Sequence, residues 1–331
     1  GQNYGSMLES LVAVPIYICK VPLNTALPIS SFIIAITHFA VIMRYCFTEK
    51  KYFQGWMILL VLLLYSVDMD VLTSIPRTFM PGYCFTVAGL LMCIKSNKKR
   101  RQILGGFLLI IGVVMSETAI YIILPVLICI LWNRKNLLRH LWALIGIVAG
   151  IGVNKLCMPF YEIRPEFLVW GKPELSFDFD LFINRIHEFT TYFSNLILFE
   201  NAWVFLVLCI TLIVFLIITD NVGPALTVIS TIGGLFLTLG FSKVGEHDCV
   251  LWSATRMFLF VPYNIALALY LSKLESIEKK MEMYLTNRQV RKIVSILAII
   301  AVFMSAFIKY VDYKRRESEF KTSNLNVIIS V

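Results

Sequence analysis

Long apolar runs separated by short polar loops form the dominant pattern of this chain. The runs are continuous and do not alternate between apolar and polar positions, so they predict α-helices and not the strands of a membrane barrel. Their lengths suit helices that cross, or partly cross, the hydrocarbon layer of a bilayer. The pattern predicts nine to ten transmembrane or half-length helices, at about residues 28–47, 55–67, 78–94, 103–115, 119–132, 141–156, 202–219, 224–241, 254–272 and 293–310.

A shorter apolar run, residues 7–19, precedes these spans and is followed by Lys20. Its length suits a juxtamembrane helix that lies at the membrane interface. We interpret residues 1–310 as a single transmembrane domain and residues 311–331 as a C-terminal tail. The longest segment between spans, residues 157–201, has too little apolar mass for an independent domain, so we expect it to cap the membrane part.

The composition agrees with this pattern. Hydrophobic residues make up 58% of the 331 positions and charged residues 15%, with a mean hydropathy of +0.78. A water-soluble domain could not place so much apolar surface inside, so the predicted fold class is an all-α, polytopic integral membrane protein. The net charge of +9 does not indicate a nucleic-acid partner, because the cations cluster in short loops and form no basic face with interleaved aromatics.

The cations in these loops predict the orientation of the chain. Short cytoplasmic loops of membrane proteins are enriched in Lys and Arg. Four basic loops fall on one side of the predicted spans, which we assign to the cytoplasm: Lys50–Lys51, Lys95–Arg101, Arg134–Arg139 and Lys273–Lys292. The outer side then receives residues 1–27, 68–77, 157–201 and 242–253.

Small and polar residues inside the spans have a structural interpretation. The pairs Gly105–Gly106 and Gly233–Gly234 interrupt apolar runs, and glycines at such positions let membrane helices approach closely. His38 lies on an apolar span, where we interpret it as structural.

Acidic residues at or between spans are the first candidates for chemistry. Asp68 and Asp70 follow a predicted span and could share a divalent cation, although such a short pattern is frequent by chance and a structural or interfacial use is favoured. Arg77 opens the next span, where it would pair with substrate, lipid phosphate or one of these acids. Glu117 interrupts a predicted apolar hairpin. It is a functional acid if the hairpin stays within the membrane and an ordinary hydrated acid if the turn reaches the surface.

Arg256 is a candidate ligand for a phosphate. It lies at the predicted outer end of a span, six residues before Pro262. A guanidinium can donate two parallel hydrogen bonds to the oxygens of one phosphate. Lys243 and His247 are candidate helpers, and ordinary bilayer phosphate would satisfy Arg256 as well. Glu9, near the start of the juxtamembrane helix, could bind a hydroxylated substrate, or it could simply be an acid favoured by the helix dipole.

The opening run Gly1–Glu9, followed by Val12–Pro15, resembles the GQ-x-Y-x-G-S-L-E … APL run of bacterial GT-C-type membrane glycosyltransferases. These enzymes are akin to the protein O-mannosyltransferase and aminoarabinose transferase group. The resemblance implies a GT-C-like fold and a multi-pass enzyme of the bacterial cytoplasmic membrane, with an outward-facing active site. It also implies transfer of a sugar from a polyprenyl-phosphate carrier to a saccharide, lipid or protein acceptor.

The same resemblance implies roles for particular residues. Arg256 would hold the carrier phosphate, while Gln2, Tyr4 and Glu9 would lie beside the sugar or the acceptor. The general base of the family would precede Gly1, so no catalytic residue is assigned here. No cofactor follows from the sequence, and a divalent cation stays open.

A transporter or flippase for lipid-linked saccharides, or an envelope polymerase, is the alternative function. A transporter is expected to carry polar groups at mid-membrane on several spans. The spans 28–47, 202–219 and 293–310 are almost free of such groups, and the polar candidates gather at the outer edge. This distribution favours an enzyme that works at the membrane interface.

Overall fold

Helices make up nearly all of the structure, a computed structural model that describes residues 8–64, 79–132, 141–162, 175–198, 201–243 and 260–329. The helices are α1 (Leu8–Ile18), α2 (Leu23–Thr48), α3 (Tyr52–Leu63), α4 (Phe79–Lys95), α5 (Lys99–Met115), α6 (Ile120–Trp132), α7 (Leu141–Glu162), α8 (Phe179–His187), α9 (Phe189–Phe193), α10 (Ala202–Ile218), α11 (Val222–Leu237), α12 (Phe260–Leu271), α13 (Glu275–Thr286) and α14 (Arg288–Ile329). Single 3₁₀ turns cover Glu117–Ala119, Ser194–Leu196 and Thr238–Gly240. Two short strands, β1 (Leu175–Phe177) and β2 (Phe241–Lys243), pair antiparallel.

Each apolar run of the sequence coincides with a helix in the described residues, which confirms the all-α prediction. Three helical stretches are long and apolar enough to cross a membrane: Leu23–Thr48, Val222–Gly240 and Arg288–Asp312. The remaining apolar helices of the bundle are shorter, in agreement with the half-length helices predicted from the shorter apolar runs. Several boundaries differ: α2 begins at Leu23, α7 continues to Glu162, and α14 continues without a break past residue 310, to Ile329.

Glycines set the closest helix contacts. Gly82 and Gly89 of α4 face Gly112 and Gly105 of α5, so both helices carry glycines seven residues apart in antiparallel register. A Cβ atom on Gly89 would lie 2.7 Å from the carbonyl oxygen of Gly105. The two backbones are therefore in direct contact, which is the packing that small residues permit in membranes.

A second glycine contact joins α5 to α7. A Cβ atom on Gly106 would lie 2.0 Å from the carbonyl oxygen of Ala143, and one on Gly146 would lie 1.9 Å from that of Ile103. The prediction of helix packing at Gly105–Gly106 is confirmed. For Gly233–Gly234 the same prediction is not supported by the described residues, none of which has an atom within 4 Å of a Cβ built at either position.

α12 is the central helix of the bundle. Every residue from Phe260 to Tyr270 is buried except Ile265, which is partly exposed. A helix that is buried on all sides must be surrounded by other elements, and α12 packs against α2, α3, α6 and α11. Its tyrosines Tyr263 and Tyr270 are among the largest fully buried side chains.

The predicted basic loops meet at one end of this bundle, which we call the basic end. Lys50 pairs with Glu282, Lys95 pairs with Glu49, and the Asn221 side chain bonds the backbone of Lys273. These contacts bring the α2–α3, α4–α5, α10–α11 and α12–α13 connections together. Residues 134–139, the remaining basic loop, lie outside the described residues.

The opposite end of the bundle carries the cap that the sequence predicted for part of residues 157–201. The backbone N–H of Leu198 donates to the carbonyl oxygen of Leu64 at 2.9 Å. The ring of Phe193 is buried and meets Phe236 of α11 edge to face, with centroids 5.0 Å apart. β1, α8 and α9 thus cover the ends of α10 and α11.

Candidate functional site

The structure describes three of the ten sequence-predicted site residues. The following lie outside the described residues: Gln2, Tyr4, Asp68, Asp70, Arg77, His247 and Arg256. For Glu9, Glu117 and Lys243 the structure gives the backbone position.

Glu9 is the second residue of α1. A turn that includes Lys20, with a φ of 67°, joins α1 to the beginning of α2. Since α2 ends at the basic end, its beginning lies toward the opposite end. Ala13 of α1 is buried, with 2% of its surface exposed, and α1 packs directly on α2. A helix is therefore present where one was predicted, around residues 7–19, and it packs on α2.

Glu117 begins the 3₁₀ turn between α5 and α6. This turn lies at the end of the bundle opposite the basic loops, because α5 starts at the basic end and α6 returns toward it. The flanking Ser116 and Ala119 are buried. The hairpin thus reverses at Glu117, as expected if this acid stands at a helix end and not in the middle of a span.

Lys243 is the last residue of β2, and its Cα pairs in register with that of Leu175. Arg185 of α8 fixes this ribbon, because its Nη1 donates to the carbonyl oxygens of Leu239 at 2.9 Å and Phe241 at 3.2 Å. Arg185 is 6% exposed, so the guanidinium satisfies backbone groups in a buried place. The cap therefore holds β2 in place.

Beneath these segments lies a buried polar cluster that the sequence did not predict. The hydroxyl groups of Tyr83 and Ser116 each lie 2.7 Å from the Thr118 hydroxyl, which links α4 to the α5–α6 turn. The Tyr263 hydroxyl donates to the sulfur of Met80 at 3.6 Å. The rings of Tyr83 and Tyr263 meet edge to face, with centroids 5.7 Å apart.

His38 completes this cluster from α2. Its Nδ1 lies 3.0 Å from the carbonyl oxygen of Ala35 and donates to it, which leaves Nε2 as the acceptor nitrogen. Among the described residues Nε2 has no hydrogen-bond partner. The ring centroid is 4.8 Å from that of Tyr263. Burial and ring packing agree with a structural role for His38.

Asn264 is a second polar anchor that the sequence did not predict. Its Nδ2 donates to the carbonyl oxygen of Tyr121 at 2.8 Å and to the hydroxyl of Thr231 at 3.0 Å. One amide therefore ties α12 to both α6 and α11 in an apolar interior, where an unpaired amide would be costly. A lone Asn within an apolar run was the available signal in the sequence.

At the basic end, Tyr270 lies between two cations. The Nζ atoms of Lys51 and Lys95 are 4.9 and 4.8 Å from the centre of its ring, a distance typical of cation–π contacts. The Tyr270 hydroxyl donates to Glu49 at 3.2 Å, and Lys51 donates to the Tyr270 carbonyl at 2.7 Å. Burial, followed by the nearby charge of Lys95, lowers the pKa of Lys51.

Glu278 of α13 caps the beginning of α3 from outside that helix. Its carboxylate accepts from the backbone N–H of Phe53 at 2.9 Å and of Gln54 at 3.4 Å. These N–H groups have no intrahelical partner, and Lys51, at the N-cap position, supplies no side-chain cap. A carboxylate at a helix N-terminus is also favoured by the helix dipole. Burial nevertheless raises the pKa of Glu278 above its ordinary value.

The described residues thus form hydrogen-bonded contacts at both ends of the bundle, but they do not include a complete set of catalytic groups. No group of three or more His, Cys, Asp and Glu side chains is placed to hold a metal ion within the part of the chain that the structure describes. The proposed cation at Asp68 and Asp70 falls outside that part. Comparison with known proteins found no matching family model, curated protein or solved structure.

Proposed function

We propose that the chain is a multi-pass GT-C-type glycosyltransferase of the bacterial cytoplasmic membrane. It would move a sugar from a polyprenyl-phosphate carrier to an envelope acceptor at the outer face. The opening run Gly1–Glu9 carries the sequence resemblance behind this proposal. The basic end would face the cytoplasm, in keeping with the distribution of Lys and Arg.

One structural observation carries the proposal furthest. Segments that contain or border the candidate residues gather at the end of the bundle opposite the basic loops. They are the C-terminal end of α1, the turn with Glu117, β2 with Lys243, and the start of α12 at Phe260, four residues after Arg256. Positions far apart in sequence therefore share one end, as a single interfacial site requires.

The chemistry needs two kinds of group. The acceptor hydroxyl loses a proton as its oxygen bonds to the anomeric carbon, and the bond from that carbon to the carrier phosphate breaks. A carboxylate base assists the first event, and a cationic clamp stabilises the negative charge on the departing phosphate. In this proposal Arg256 is the clamp, with Lys243 and His247 beside it, and Glu9 contacts the sugar or the acceptor.

The interior of the bundle favours this enzyme over the transport alternative. Ionisable residues at mid-membrane mark the pathways of many transporters. The described buried side chains include no Asp, Glu or Lys, and the buried Arg185 belongs to the cap. The buried polar groups are instead hydroxyls, amides and His38, and most of their bonds join one helix to the next or to its own backbone.

The test is transfer of a radiolabelled sugar from polyprenyl phosphate by the full-length protein reconstituted in nanodiscs, with a separate measurement of polyprenyl-phosphate binding. Arg256→Ala is expected to lower transfer by about 100-fold or more, the usual effect of removing a group that stabilises developing charge. Arg44→Ala is the matched control, because Arg44 is exposed near the basic end of α2. Equal transfer and equal binding by the two variants would refute the assignment of Arg256.

A further inference from the structure

The helix α13 divides cleanly into a face toward the protein and a face away from it. Leu274, just before the helix, is buried, and Ile277, Met281 and Leu285 are partly buried at helical spacing. These residues lie toward α3, on which α13 packs. The opposite face is therefore free of contact with the described part of the bundle.

The two middle acids of α13 face the protein and are satisfied there. Glu282 accepts from Lys50 Nζ at 2.8 Å. Glu278 accepts from the backbone N–H of Phe53 at 2.9 Å. Glu275, at the first position of the helix, is the remaining acid of α13 and is exposed.

The opposite face is basic and partly apolar. Its residues are Lys279, Lys280, Met283 and Tyr284, which we call the α13 face. Met283 is 62% exposed and Tyr284 is 57% exposed. Neither lysine forms an ion pair with any of the residues that the structure describes. The inward-facing acids Glu278 and Glu282 thus leave Lys279 and Lys280 facing away from the protein, with the exposed Glu275 one turn before Lys279.

This face lies next to a stretch that is long and apolar enough to cross a membrane. The membrane-crossing stretch Arg288–Asp312 begins directly after α13. On the protein side, α13 packs at the beginning of the apolar helix α3. An amphipathic helix at this level, with lysines beside a tyrosine and a methionine, has the composition of helices that lie in the headgroup layer.

We propose that the α13 face docks onto the headgroups of anionic phospholipids in the surrounding membrane. The lysines bind the phosphate-bearing headgroups, and Met283 and Tyr284 enter the boundary between headgroups and acyl chains. The exposed cations Arg291 and Lys292 of α14 extend the positive surface. The inward bonds of Glu278 and Glu282 hold α13 so that its cations point outward. This inference does not depend on the proposed enzymatic function.

Hydrogen exchange of residues 275–287 tests the proposal, with the chain reconstituted in nanodiscs. One set of discs contains phosphatidylcholine alone, and the other an equimolar mixture with phosphatidylglycerol. Each lysine near an anionic surface is expected to favour the docked state about fivefold, so the pair slows exchange about 25-fold in the anionic discs. Added salt should shrink the difference, because it screens the attraction.

Two double variants separate charge from packing. Lys279→Gln with Lys280→Gln should remove most of the lipid dependence, whereas Lys279→Arg with Lys280→Arg should keep it. Helix content by circular dichroism confirms that both variants fold. Equal exchange in the two kinds of disc, equal behaviour of the two variants, or docking of an acidic protein without lipid dependence would each overturn the proposal.

Discussion

Substituting Gly146 by alanine probes the closest contact in the bundle. The new methyl carbon would lie 1.9 Å from the carbonyl oxygen of Ile103 and 2.8 Å from the backbone nitrogen of Phe107. Neither neighbour can rotate away, because both are backbone atoms inside α5. The two helices must therefore move apart, and the movement would disturb the neighbouring contact at Gly106.

Gly152 provides a control on the same helix. No described atom lies within 4 Å of a Cβ built at this position. Alanine improves helix propensity by up to about 1 kcal/mol at either site, so this term largely cancels when the variants are compared. Overpacking typically costs about 1–3 kcal/mol. Gly146→Ala should thus be less stable than Gly152→Ala by about that amount.

The assay is unfolding of the purified chain in mixed micelles with increasing sodium dodecyl sulfate, followed by circular dichroism. Gly146→Ala should shift the transition to lower detergent fraction, and Gly152→Ala should leave it unchanged or raise it. If the two variants unfold within about 0.5 kcal/mol of each other, a value typical of neutral surface changes, then α5 and α7 are not in backbone contact.

Three further changes test other contacts. Glu278→Ala should cost about 1 kcal/mol in the same unfolding assay, as loss of a helix cap does, whereas Glu278→Gln keeps an acceptor oxygen. Because the folded-state pKa of Glu278 is raised, protonation of this carboxyl adds stability that is complete below the ordinary value of 4.5 and is lost as pH rises through the folded-state pKa, while the ionised carboxylate keeps its bonds to the α3 backbone. A pH series of unfolding curves should therefore be flatter for Glu278→Gln, and an unchanged series would contradict the assignment. Tyr83→Phe should cost about 1 kcal/mol, while Tyr310→Phe, on an exposed tyrosine, should cost nothing measurable; equal unfolding of the two would rule out the Thr118 bond. Arg185→Met should cost about 2 kcal/mol by leaving two carbonyl groups unpaired, and limited proteolysis that finds the cap as resistant as in the parent chain would argue against that role.

Local pattern was enough to predict the helices, because an apolar run of given length has few alternatives in a membrane. It also predicted that the loops around Lys50, Lys95 and Lys273 share one end, since helices that alternate in direction return every second loop to the same side. The short hairpin at Glu117 followed from the same reasoning. These features depend on sequence neighbours alone.

Contacts between distant elements could not be predicted in this way. Gly146 and Gly233 look alike in sequence, yet one touches a neighbouring backbone and the other touches nothing described. The cap that Glu278 places on α3 joins residues 225 positions apart, and Asn264 joins three helices. Which polar residue finds a partner depends on the tertiary arrangement, and the hydropathy pattern carries no information about that arrangement. The phosphate clamp at Arg256 stays a prediction.

α14 has consequences for how the protein is assembled. Among the described residues, 6% of its apolar stretch Arg288–Asp312 is buried, against 44% for the stretch in α2. Lipid is therefore expected to contact most of its surface. The hydrogen bond from the Ser305 hydroxyl to the carbonyl oxygen of Leu63, at 2.7 Å, is a local attachment. In a two-stage description, insertion and association are separate events. α14 has the hydropathy to insert by itself and gains little from association, so it is expected to join last and to detach first, while the other helices remain assembled.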